Sequence, residues 1–432
     1  MSSSIRSAFS IPKNLRAIFT QPADNFAAID GLRALSLLMV ILFHVFRNTS
    51  HALTKGQTQD LISDTPLYLS WVWNADKGVD IFFLISGFLI AGLLFREHQD
   101  KARIDLKSFY IRRLLRLSPI YLVALGLYWL AGAHNAENVW ANALYVNNFL
   151  PLKEQAFTWG WSLAVEEQFY ILFPMFLLVF FFPSKHRLFW LMALFASSFV
   201  IRTAFIYTDE MIWHVSTYEI FFNKETFYYV FGTVYDNLYT RYGTFLCGII
   251  AAYLHYYRQD WLKGFFAKPL QSITSTVAAL TTIGFFMFFP ISDATLNADP
   301  TFDSLYFALH RNLFGMALAW LVLACIHSKD MLARIVNKFL SLRLWHPIAQ
   351  LSYSGYLVHY VIAEIVLLSL KANMEARDMV FANVDISWLI GCFVIITIVS
   401  LMLATVAYLL IEKPFMNLRS GYRANLVSKS TR

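Results

Sequence analysis

Charged residues are scarce in this 432-residue sequence: Asp, Glu, Lys and Arg make up 15% of it, whereas soluble proteins average about 25%. Hydrophobic residues make up 58%, above the roughly 45–50% that is usual for soluble proteins. One soluble core cannot hide so many apolar side chains, so much of the surface is expected to face lipid. The 40 Phe, 22 Tyr and 12 Trp residues suit lipid contact and interfacial belts. The composition therefore excludes an ordinary soluble protein.

Cysteine is also scarce, and no cleavable signal peptide is visible. The three cysteines, Cys247, Cys325 and Cys392, are far apart and each lies in an apolar run. Their spacing fits neither a disulfide framework nor a metal motif, so we expect buried, inert thiols and no metal site. Residues 1–28 are polar and mildly basic and lack the apolar core of a signal peptide. The first apolar stretch is therefore expected to remain as a membrane anchor.

Apolar stretches that can cross a hydrocarbon core of about 30 Å recur along the whole chain. They lie at 31–47, 79–95, 117–131, 161–182, 188–207, 238–257, 271–291, 304–326, 347–370 and 386–411. The first and the third are short, so tilt or snorkelling flanks must help them to span. The sequence predicts an all-α fold, a polytopic transmembrane helix bundle of about ten helices. We divide it into an N-terminal segment (1–28), a transmembrane domain (29–411) and a basic tail (412–432).

The basic residues follow a membrane topology. If the N-terminus is inside, the inner segments hold 24 Lys and Arg residues and the outer loops hold 6. Because basic residues concentrate in cytoplasmic segments, both termini are predicted to be cytoplasmic. The net charge of +7 forms no single stripe, so membrane lipids are the expected partners and nucleic acid is not.

Ionisable side chains inside apolar stretches are functional candidates, because a bilayer makes them costly. Arg33 and His44 are eleven residues apart, so they share one helix face about 16 Å apart along the axis. Asp80 enters the second stretch from the outer side, at a depth that His44 approaches, where a carboxylate can fix the tautomer of a base. The alternatives are a topology-determining Arg33, a hydrogen-bonded core His44 and an Asp80 that only caps its helix.

Two further groups carry charge near the membrane. Glu166 and Glu167 enter the fourth stretch about 100° apart, so at most one can point straight into a narrow cleft. The inner loop 96–116 contains Arg113 and Arg116, which are i, i+3 neighbours if the segment is helical. Their planar guanidinium groups suit a phosphate. The alternative for them is a role in topology and in binding anionic lipid.

A polar stripe also marks the ninth stretch. Ser352, Tyr356 and His359 share one helix face, so they either form interhelical hydrogen bonds or line a wet cavity. Arg241 and Arg311 lie near or within other stretches, where each could balance a buried carboxylate or bind an anionic ligand. Arg241, Tyr356 and His359 are the candidates for acceptor contact or cavity lining.

Six segments in this order resemble the acyltransferase-3 family of integral-membrane O-acyltransferases. They are Ile29–Ala34 leading to His44, Gly78–Phe88, Arg113-x-x-Arg116 before Pro119, Trp161-Ser162-Leu163 with Glu166, Phe169 and Tyr170, Tyr239-Thr240-Arg241 leading to Gly248, and Leu351–Tyr353 with Tyr356-Leu357-x-His359. The closing Ile411–Phe415 also looks familial. Each motif alone is weak, but together they give a resemblance that runs from about residue 25 to residue 416, nearly the whole chain.

The resemblance implies an activity and its partners. The family transfers an acyl group, usually acetyl from acetyl-coenzyme A, to a sugar hydroxyl of a surface glycan, a glycolipid or a related acceptor such as polysaccharide or lipopolysaccharide. It implies the bacterial cytoplasmic (inner) membrane, acyl-CoA as donor substrate and no permanently bound cofactor. Many relatives carry a fused extracytoplasmic esterase-like domain. We see none in this sequence, so we expect either direct modification of the acceptor or a separate extracytoplasmic acyltransferase or glycan-assembly partner.

The resemblance also implies roles for individual residues. The family's functional positions map to Arg33, His44, Arg113 and Arg116, with Glu166 as the favoured carboxylate. We hypothesise that the arginines hold the donor's phosphates. His44, oriented by Asp80 or Glu166, would then deprotonate the acceptor hydroxyl as a general base. A covalent acyl-enzyme route stays open.

Two other functions fit a polytopic bundle. A secondary transporter or flippase for a lipid-linked sugar or an acyl-modified metabolite is the main alternative, because ten helices with buried charges suit it equally. Against it, the sequence shows no pair of broken helices at corresponding positions in two halves. A glycan polymerase or glycosyltransferase is the third, but the longest outer loop, at 48–78, has no clear catalytic arrangement among Asp60, Asp64 and Asp76.

Overall fold

The computed structural model describes residues 7–22, 26–213, 215–290, 300–377 and 385–418. Within these ranges every regular element is a helix, which confirms the all-α prediction. Parts of the predicted N-terminal segment and of the predicted outer loops 292–303 and 371–385 lie outside the described residues. So do residues 419–432 of the predicted basic tail.

Twelve helices organise the described chain. They are α1 (Ile11–Phe19), α2 (Ala27–Ala52), α3 (Lys77–Lys101), α4 (Leu106–Leu130), α5 (Trp161–Phe176), α6 (Arg187–Thr208), α7 (Leu238–Tyr257), α8 (Pro269–Met287), α9 (Pro300–His327), α10 (Met331–Leu340), α11 (Ser352–Glu375) and α12 (Ile386–Ala407). Shorter α-helices connect them at Lys55–Ser63, Val139–Ala143, Thr217–Phe222, Lys224–Val230, Gln259–Phe266 and Trp345–Gln350. Single π-helical turns lie at Leu177–Phe181, Phe231–Tyr235 and Tyr408–Glu412.

Nine of the helices in the described ranges are long and apolar enough to cross a membrane, namely α2 to α6, α8, α9, α11 and α12. The sixth predicted stretch, 238–257, forms α7 over the same residues, but α7 is not among the nine. Its polar positions, including Thr240, Arg241 and Thr244, are buried. Because α7 packs inside the bundle, its side chains contact neighbouring helices rather than lipid, and its composition is therefore less apolar.

The predicted inner loop 96–116 is mostly helical. The helix α3 extends to Lys101, and α4 begins at Leu106, where the Asp105 side chain accepts a hydrogen bond of 3.0 Å from the Ser108 amide. The helix then continues through Pro119. The observed helices extend into the predicted loop because a helix can continue past the hydrocarbon core into the polar interface, where its basic side chains are solvated. Arg113 and Arg116 are therefore the i, i+3 neighbours that the sequence suggested.

The close approach of α3 and α7 depends on two glycines. A Cβ atom at Gly87 would clash with the carbonyl oxygen of Phe245, and one at Gly248 would clash with the carbonyl oxygen of Leu84. Each glycine thus lies against the backbone of the other helix, as is typical of small residues between membrane helices. This contact sets the depth of Asp80 and Arg241, which lie one to two turns away on the same two helices.

The relative directions of the helices that carry the site follow from four contacts. The Phe26 and Phe88 rings are 5.8 Å apart, and a Cβ at Gly78 would lie 3.1 Å from Val40 Cγ2, so α2 and α3 are antiparallel. Helices α2 and α11 are parallel, because Arg33 bonds to Ser352 and, further along both helices, His44 contacts His359. These directions agree with the alternating spans predicted from the sequence.

Candidate active site

A cavity of about 730 Å³ opens among the ends of α2, α3, α4 and α11 that carry the predicted outer loops. Its wall is rich in aromatic side chains, including Trp73, Tyr128, Trp159, Trp161, Tyr228, Tyr235 and Tyr360. His44 lies in this wall, on the last three turns of α2. An imidazole is thus exposed to a space large enough for a small ligand.

The ring nitrogens of His44 and His359 form a short hydrogen-bonded chain. The His359 Nδ1 atom lies 2.6 Å from the Tyr356 carbonyl oxygen, and the His44 Nδ1 atom lies 2.9 Å from the Val40 carbonyl oxygen. The His359 Nε2 atom lies 3.1 Å from His44 Nδ1. Because a carbonyl only accepts, His359 carries its proton on Nδ1 and its lone pair on Nε2. His44 must therefore donate from Nδ1, which leaves its Nε2 as the acceptor.

The structure corrects the prediction that Asp80 orients His44. Asp80 Oδ2 lies 2.5 Å from Arg311 Nη1, and Oδ1 lies 3.2 Å from Arg241 Nη2. The Thr244 hydroxyl also donates to Oδ1, at 3.2 Å. Both carboxylate oxygens are thus occupied by partners other than His44, and the two arginines act as counter-ions.

The depth at which α3 begins explains the correction. The sequence placed Asp80 at the level of His44 on the assumption that α3 starts at the outer surface. In the structure Gly78 packs against Val40, one helical turn before His44. Asp80 is two residues further along α3, so it lies deeper in the bundle than the imidazole.

Asp76 shares Arg311 with Asp80. Its Oδ2 atom lies 2.5 Å from Arg311 Nη2, and its Oδ1 atom lies 4.0 Å from Lys77 Nζ. Burial alone would raise the pKa of Asp76, but the charge and hydrogen bond of Arg311, together with Lys77, outweigh it and hold that pKa below its usual range. A cluster of buried ion pairs therefore forms the floor of the cavity.

Glu166 also has partners other than His44. Its Oε1 atom accepts hydrogen bonds from the hydroxyls of Ser86 and Tyr170. The guanidinium carbon of Arg113 lies 4.2 Å from the centroid of the Tyr170 ring. Glu166 thus lies beside the Arg113 side of the bundle and is not hydrogen-bonded to His44, which corrects the second predicted orienting partner.

The predicted donor-binding arginines lie toward the other end of the bundle. The Arg33 Nη2 atom donates to the Ser352 hydroxyl at 3.1 Å. The charges of Arg33 and Arg116 both act on Glu412, whose Oε2 atom accepts a hydrogen bond of 2.5 Å from Ser354. The side chains of α2, α4 and the turn after α12 are therefore close together here.

Tyr356 is a polar side chain of the cavity wall. The Tyr356 and Ser162 hydroxyls are 2.6 Å apart, and the Tyr356 hydroxyl donates to the Trp159 carbonyl oxygen at 2.9 Å. As far as the structure describes them, the cavity-lining residues include Tyr356 but not Arg241, His359 or any of the three predicted donor-binding arginines. Arg33 bonds to Ser352, one helical turn before Tyr356 on α11.

Several site residues were missed from the sequence. The hydroxyls of Tyr170 and Ser86 donate hydrogen bonds to Glu166. The i, i+4 spacing of Glu166 and Tyr170 on one helix indicates that these two side chains are neighbours. The sequence indicates Glu412 only as part of the closing Ile411–Phe415 segment and does not reveal its charged neighbours. It predicts Lys77, which is only 2% exposed, as a cation of the outer loop 48–78, because a position at the start of a helix does not reveal burial.

Comparison with known proteins gives one family and several relatives. The sequence matches the acyltransferase-3 family model, described as an acyltransferase domain, over residues 26–405. It is 27% identical over 431 residues to the "Putative O-acetyltransferase" of Staphylococcus aureus strain MRSA252, covering 91% of this chain and 59% of that protein. It is 26% identical over 429 residues to O-acetyltransferase OatA of Staphylococcus aureus strain NCTC 8325, covering 92% and 58% respectively.

The chain corresponds to only part of each of these relatives. The chain spans between 50% and 59% of the length of the curated relatives it matches. No solved structure matches it.

Proposed function

This chain belongs to the acyltransferase-3 family, and from that premise we propose that it is a membrane O-acetyltransferase. It is an integral, multi-pass membrane protein. In the proposed reaction an acetyl group moves from acetyl-coenzyme A, on the cytoplasmic side of a bacterial inner membrane, to a hydroxyl of a sugar in a surface glycan or glycolipid. The relatives' names support acetyl as the group and oxygen as the acceptor atom.

The observation that carries the proposal is the hydrogen-bonded state of His44. Its Nδ1–H points at the Val40 carbonyl oxygen and His359 Nε2, so the lone pair on Nε2 belongs to a side chain of the cavity wall. A neutral imidazole with a free Nε2 is a suitable base for a hydroxyl, since the ordinary pKa of histidine is about 6.5. The two acceptors at Nδ1 also stabilise the imidazolium that forms.

The proposed reaction is a direct attack of the acceptor hydroxyl on the thioester. His44 Nε2 takes the proton of the acceptor hydroxyl while its oxygen attacks the thioester carbonyl carbon. The tetrahedral intermediate collapses with cleavage of the C–S bond, and the proton held by His44 passes to the departing sulfur. The products are a sugar acetyl ester and free coenzyme A.

The proposed acceptor and donor reach His44 from different sides. The aromatic wall of the cavity suits a sugar, which has apolar ring faces and polar edges. Arg33, Arg113 and Arg116 hold the donor's phosphates as charge-assisted, forked donors. For the thioester to reach His44, the Tyr356–Ser162 contact must open.

Thiol release tests the proposal. Purified full chain, incubated with acetyl-coenzyme A and a glycan acceptor extract, is expected to release free thiol and to form acetyl esters detectable by mass spectrometry. His44→Ala should lower the rate by about 10²–10⁴-fold, the usual contribution of general base catalysis. His186→Ala is the control, because His186 is exposed before α6 and is not among the residues of the cavity wall. Wild-type rates in His44→Ala would contradict the role of His44. Transport of a sugar without consumption of acetyl-coenzyme A would instead support the alternative function, a secondary transporter or flippase.

A further inference from the structure

The floor of the His44 cavity contains hydrogen-bond donors that the proposed reaction does not use. Lys77 is 2% exposed, and its Nζ atom donates to Asn74 Oδ1 at 2.8 Å. The amide nitrogen of Asn74 donates in turn to the Phe289 carbonyl oxygen at 2.9 Å, which fixes the orientation of the amide. Among the described residues no other acceptor lies within hydrogen-bond distance of Lys77 Nζ, so two of its three N–H groups are left over.

Two more buried donors lie in the same wall. The Tyr306 hydroxyl and the Arg311 Nε atom are buried and have no hydrogen-bond partner among the described residues. Both side chains line the cavity, as Lys77 does. They are linked to Lys77 through its neighbours. Arg311 pairs at 2.5 Å with Asp76, the residue before Lys77, and the Tyr306 ring stacks 4.0 Å from Phe289, whose carbonyl oxygen accepts from Asn74. Buried donors without acceptors are unfavourable unless a ligand supplies the acceptor.

The charge of the cavity wall favours an anionic ligand. Among its described residues the cations are Arg47, Lys77 and Arg311, together with Lys153, whose charge is offset by the exposed Glu225 at 2.8 Å, and the carboxylates are Asp76 and Glu364. The N-terminus of the 25-residue helix α3 lies at Lys77, and its dipole adds partial positive charge. Lysine and arginine donate only, so the group that satisfies this floor must accept hydrogen bonds, and a negatively charged oxygen forms the strongest of these.

The floor is close enough to His44 for both to contact one sugar. Gly78, next to Lys77, packs against Val40, and the Val40 carbonyl oxygen accepts the His44 Nδ1 hydrogen bond at 2.9 Å. One helical turn, about 6 Å along the axis, therefore separates the level of Lys77 from that of His44. A sugar whose hydroxyl lies at His44 can place a charged substituent at Lys77.

We propose that Lys77, Tyr306 and the Nε–H group of Arg311 form an oxyanion-binding subsite, and that the acceptor is an acidic sugar. The oxyanion is either a carboxylate of the sugar or a phosphate attached to it, since both present the same acceptor oxygens. This inference rests on the proposed acyl transfer, because it identifies the acceptor of that reaction. Asp76 is neutralised by Arg311 and so does not repel the ligand.

Binding of small sugars tests the subsite without the reaction. The melting temperature of the purified full chain is measured in detergent, without acetyl-coenzyme A, with glucuronate, glucose 1-phosphate or glucose at equal ionic strength. Both charged sugars, or one of them, should raise the melting temperature more than glucose does. A response to glucuronate alone identifies a carboxylate acceptor, and a response to glucose 1-phosphate alone identifies a phosphate.

Three variants locate the effect. Lys77→Met should weaken binding of the charged sugar by about tenfold or more, the usual effect of losing one charge-assisted hydrogen bond. Tyr306→Phe, which removes one hydroxyl, should weaken it by about fivefold and serves also if Lys77→Met fails to fold. Lys153→Gln is the control, because Lys153 lines the same cavity but pairs with the exposed Glu225 at 2.8 Å, and it should bind as the wild type does.

Other results would overturn the subsite. They are equal shifts with charged and neutral sugars, a charge preference that survives in both Lys77→Met and Tyr306→Phe, or an equal loss in Lys153→Gln. Thiol release from acetyl-coenzyme A in the same preparation separates the two proposals. Release without a preference for charged sugars removes the subsite alone, whereas a preference without release removes the acyl transfer alone.

Discussion

The Nδ1 atom of His44 and the Nε2 atom of His359 are 3.1 Å apart, with the ring centroids separated by 4.9 Å. His359 is fully buried and its own Nδ1–H is held by the Tyr356 carbonyl oxygen. Its Nε2 can therefore only accept from His44. We infer that His359 is a positioning residue, which fixes the tautomer of the base without touching the substrate.

Replacing His359 should affect turnover rather than donor binding. In His359→Phe the His44 Nδ1–H keeps only the Val40 carbonyl oxygen, so the imidazolium loses one acceptor. A hydrogen bond to a charged group contributes about 1.5–3 kcal/mol, and kcat should fall by about ten- to a hundredfold with the KM for acetyl-coenzyme A unchanged. His359→Gln, whose side-chain oxygen can accept, should recover part of the loss. A raised KM with normal kcat in both variants would contradict the positioning role.

Asp80 is expected to stabilise the fold rather than to take part in the reaction. Its side chain is 0% exposed and pairs with Arg311 and Arg241, so Asp80→Asn removes the carboxylate that pairs with Arg241 and leaves Arg311 with Asp76 alone. Removing one partner of a buried pair costs about 3–5 kcal/mol, which thermal unfolding in detergent should show as a large fall in melting temperature. Glu225→Gln, at an exposed pair with Lys153, should change it little. Normal stability with abolished acetyl transfer in Asp80→Asn would instead return Asp80 to the chemistry.

The glycine contact between α3 and α7 should not tolerate a methyl group. In Gly87→Ala the new Cβ atom meets the Phe245 carbonyl oxygen, and relieving the clash by backbone shifts typically costs about 1–3 kcal/mol. The melting temperature should fall. Gly391→Ala is the control, because nothing lies near a Cβ at that position of α12, and alanine is favoured over glycine inside a helix by about 1 kcal/mol. Equal stability of the two variants would argue against the packing of α3 on α7.

The sequence predicts the helices well because apolar length and helical periodicity are local properties. The same locality explains the pairing of Arg113 with Arg116 and the shared face of Ser352, Tyr356 and His359. The partners of Asp80 could not be predicted in this way. They depend on the depth at which α3 begins against α2, and that depth is set by the contacts of Gly78 and Gly87 with other helices.

Burial of single charges is equally hard to see from sequence. Lys77 lies just before an apolar stretch and is predicted to be a solvated loop cation, yet it is only 2% exposed and its Nζ atom donates to Asn74 Oδ1. Glu412 lies after the last apolar stretch and reads as part of a polar tail. In the structure it lies beside Arg33 and Arg116, from helices far away in sequence.

The arginines near Glu412 lead to a prediction about the donor. Arg116→Gln removes a guanidinium group proposed to bind phosphate, so the KM for acetyl-coenzyme A should rise by about tenfold. The variant should also lose discrimination against the acetyl form of dephospho-coenzyme A if Arg116 holds the 3′-phosphate. Arg103→Gln, an exposed position between α3 and α4, should behave as the wild type in both steady-state assays. An unchanged KM in Arg116→Gln would remove the phosphate role and leave the role of His44 intact.

The last prediction concerns the pH dependence of stability and rests on Asp236, which lies just before α7. Burial raises the pKa of Asp236 to about 7, despite the hydrogen bond of 3.0 Å from Gln155. The folded state therefore keeps this proton up to about pH 7, whereas the unfolded chain releases it near its ordinary value of 3.8. The stabilising contribution is fully present below pH 3.8 and is lost as the pH rises through 7, with about 1.4 kcal/mol for each unit of pKa difference. The melting temperature of the wild type should thus fall between pH 5 and pH 8 relative to that of Asp236→Asn, which cannot titrate there. Asp209→Asn, at an exposed carboxylate that accepts a hydrogen bond from Tyr229, is the control and should follow the wild-type curve. Parallel curves for the wild type and Asp236→Asn would show that Asp236 is already ionised in the folded protein.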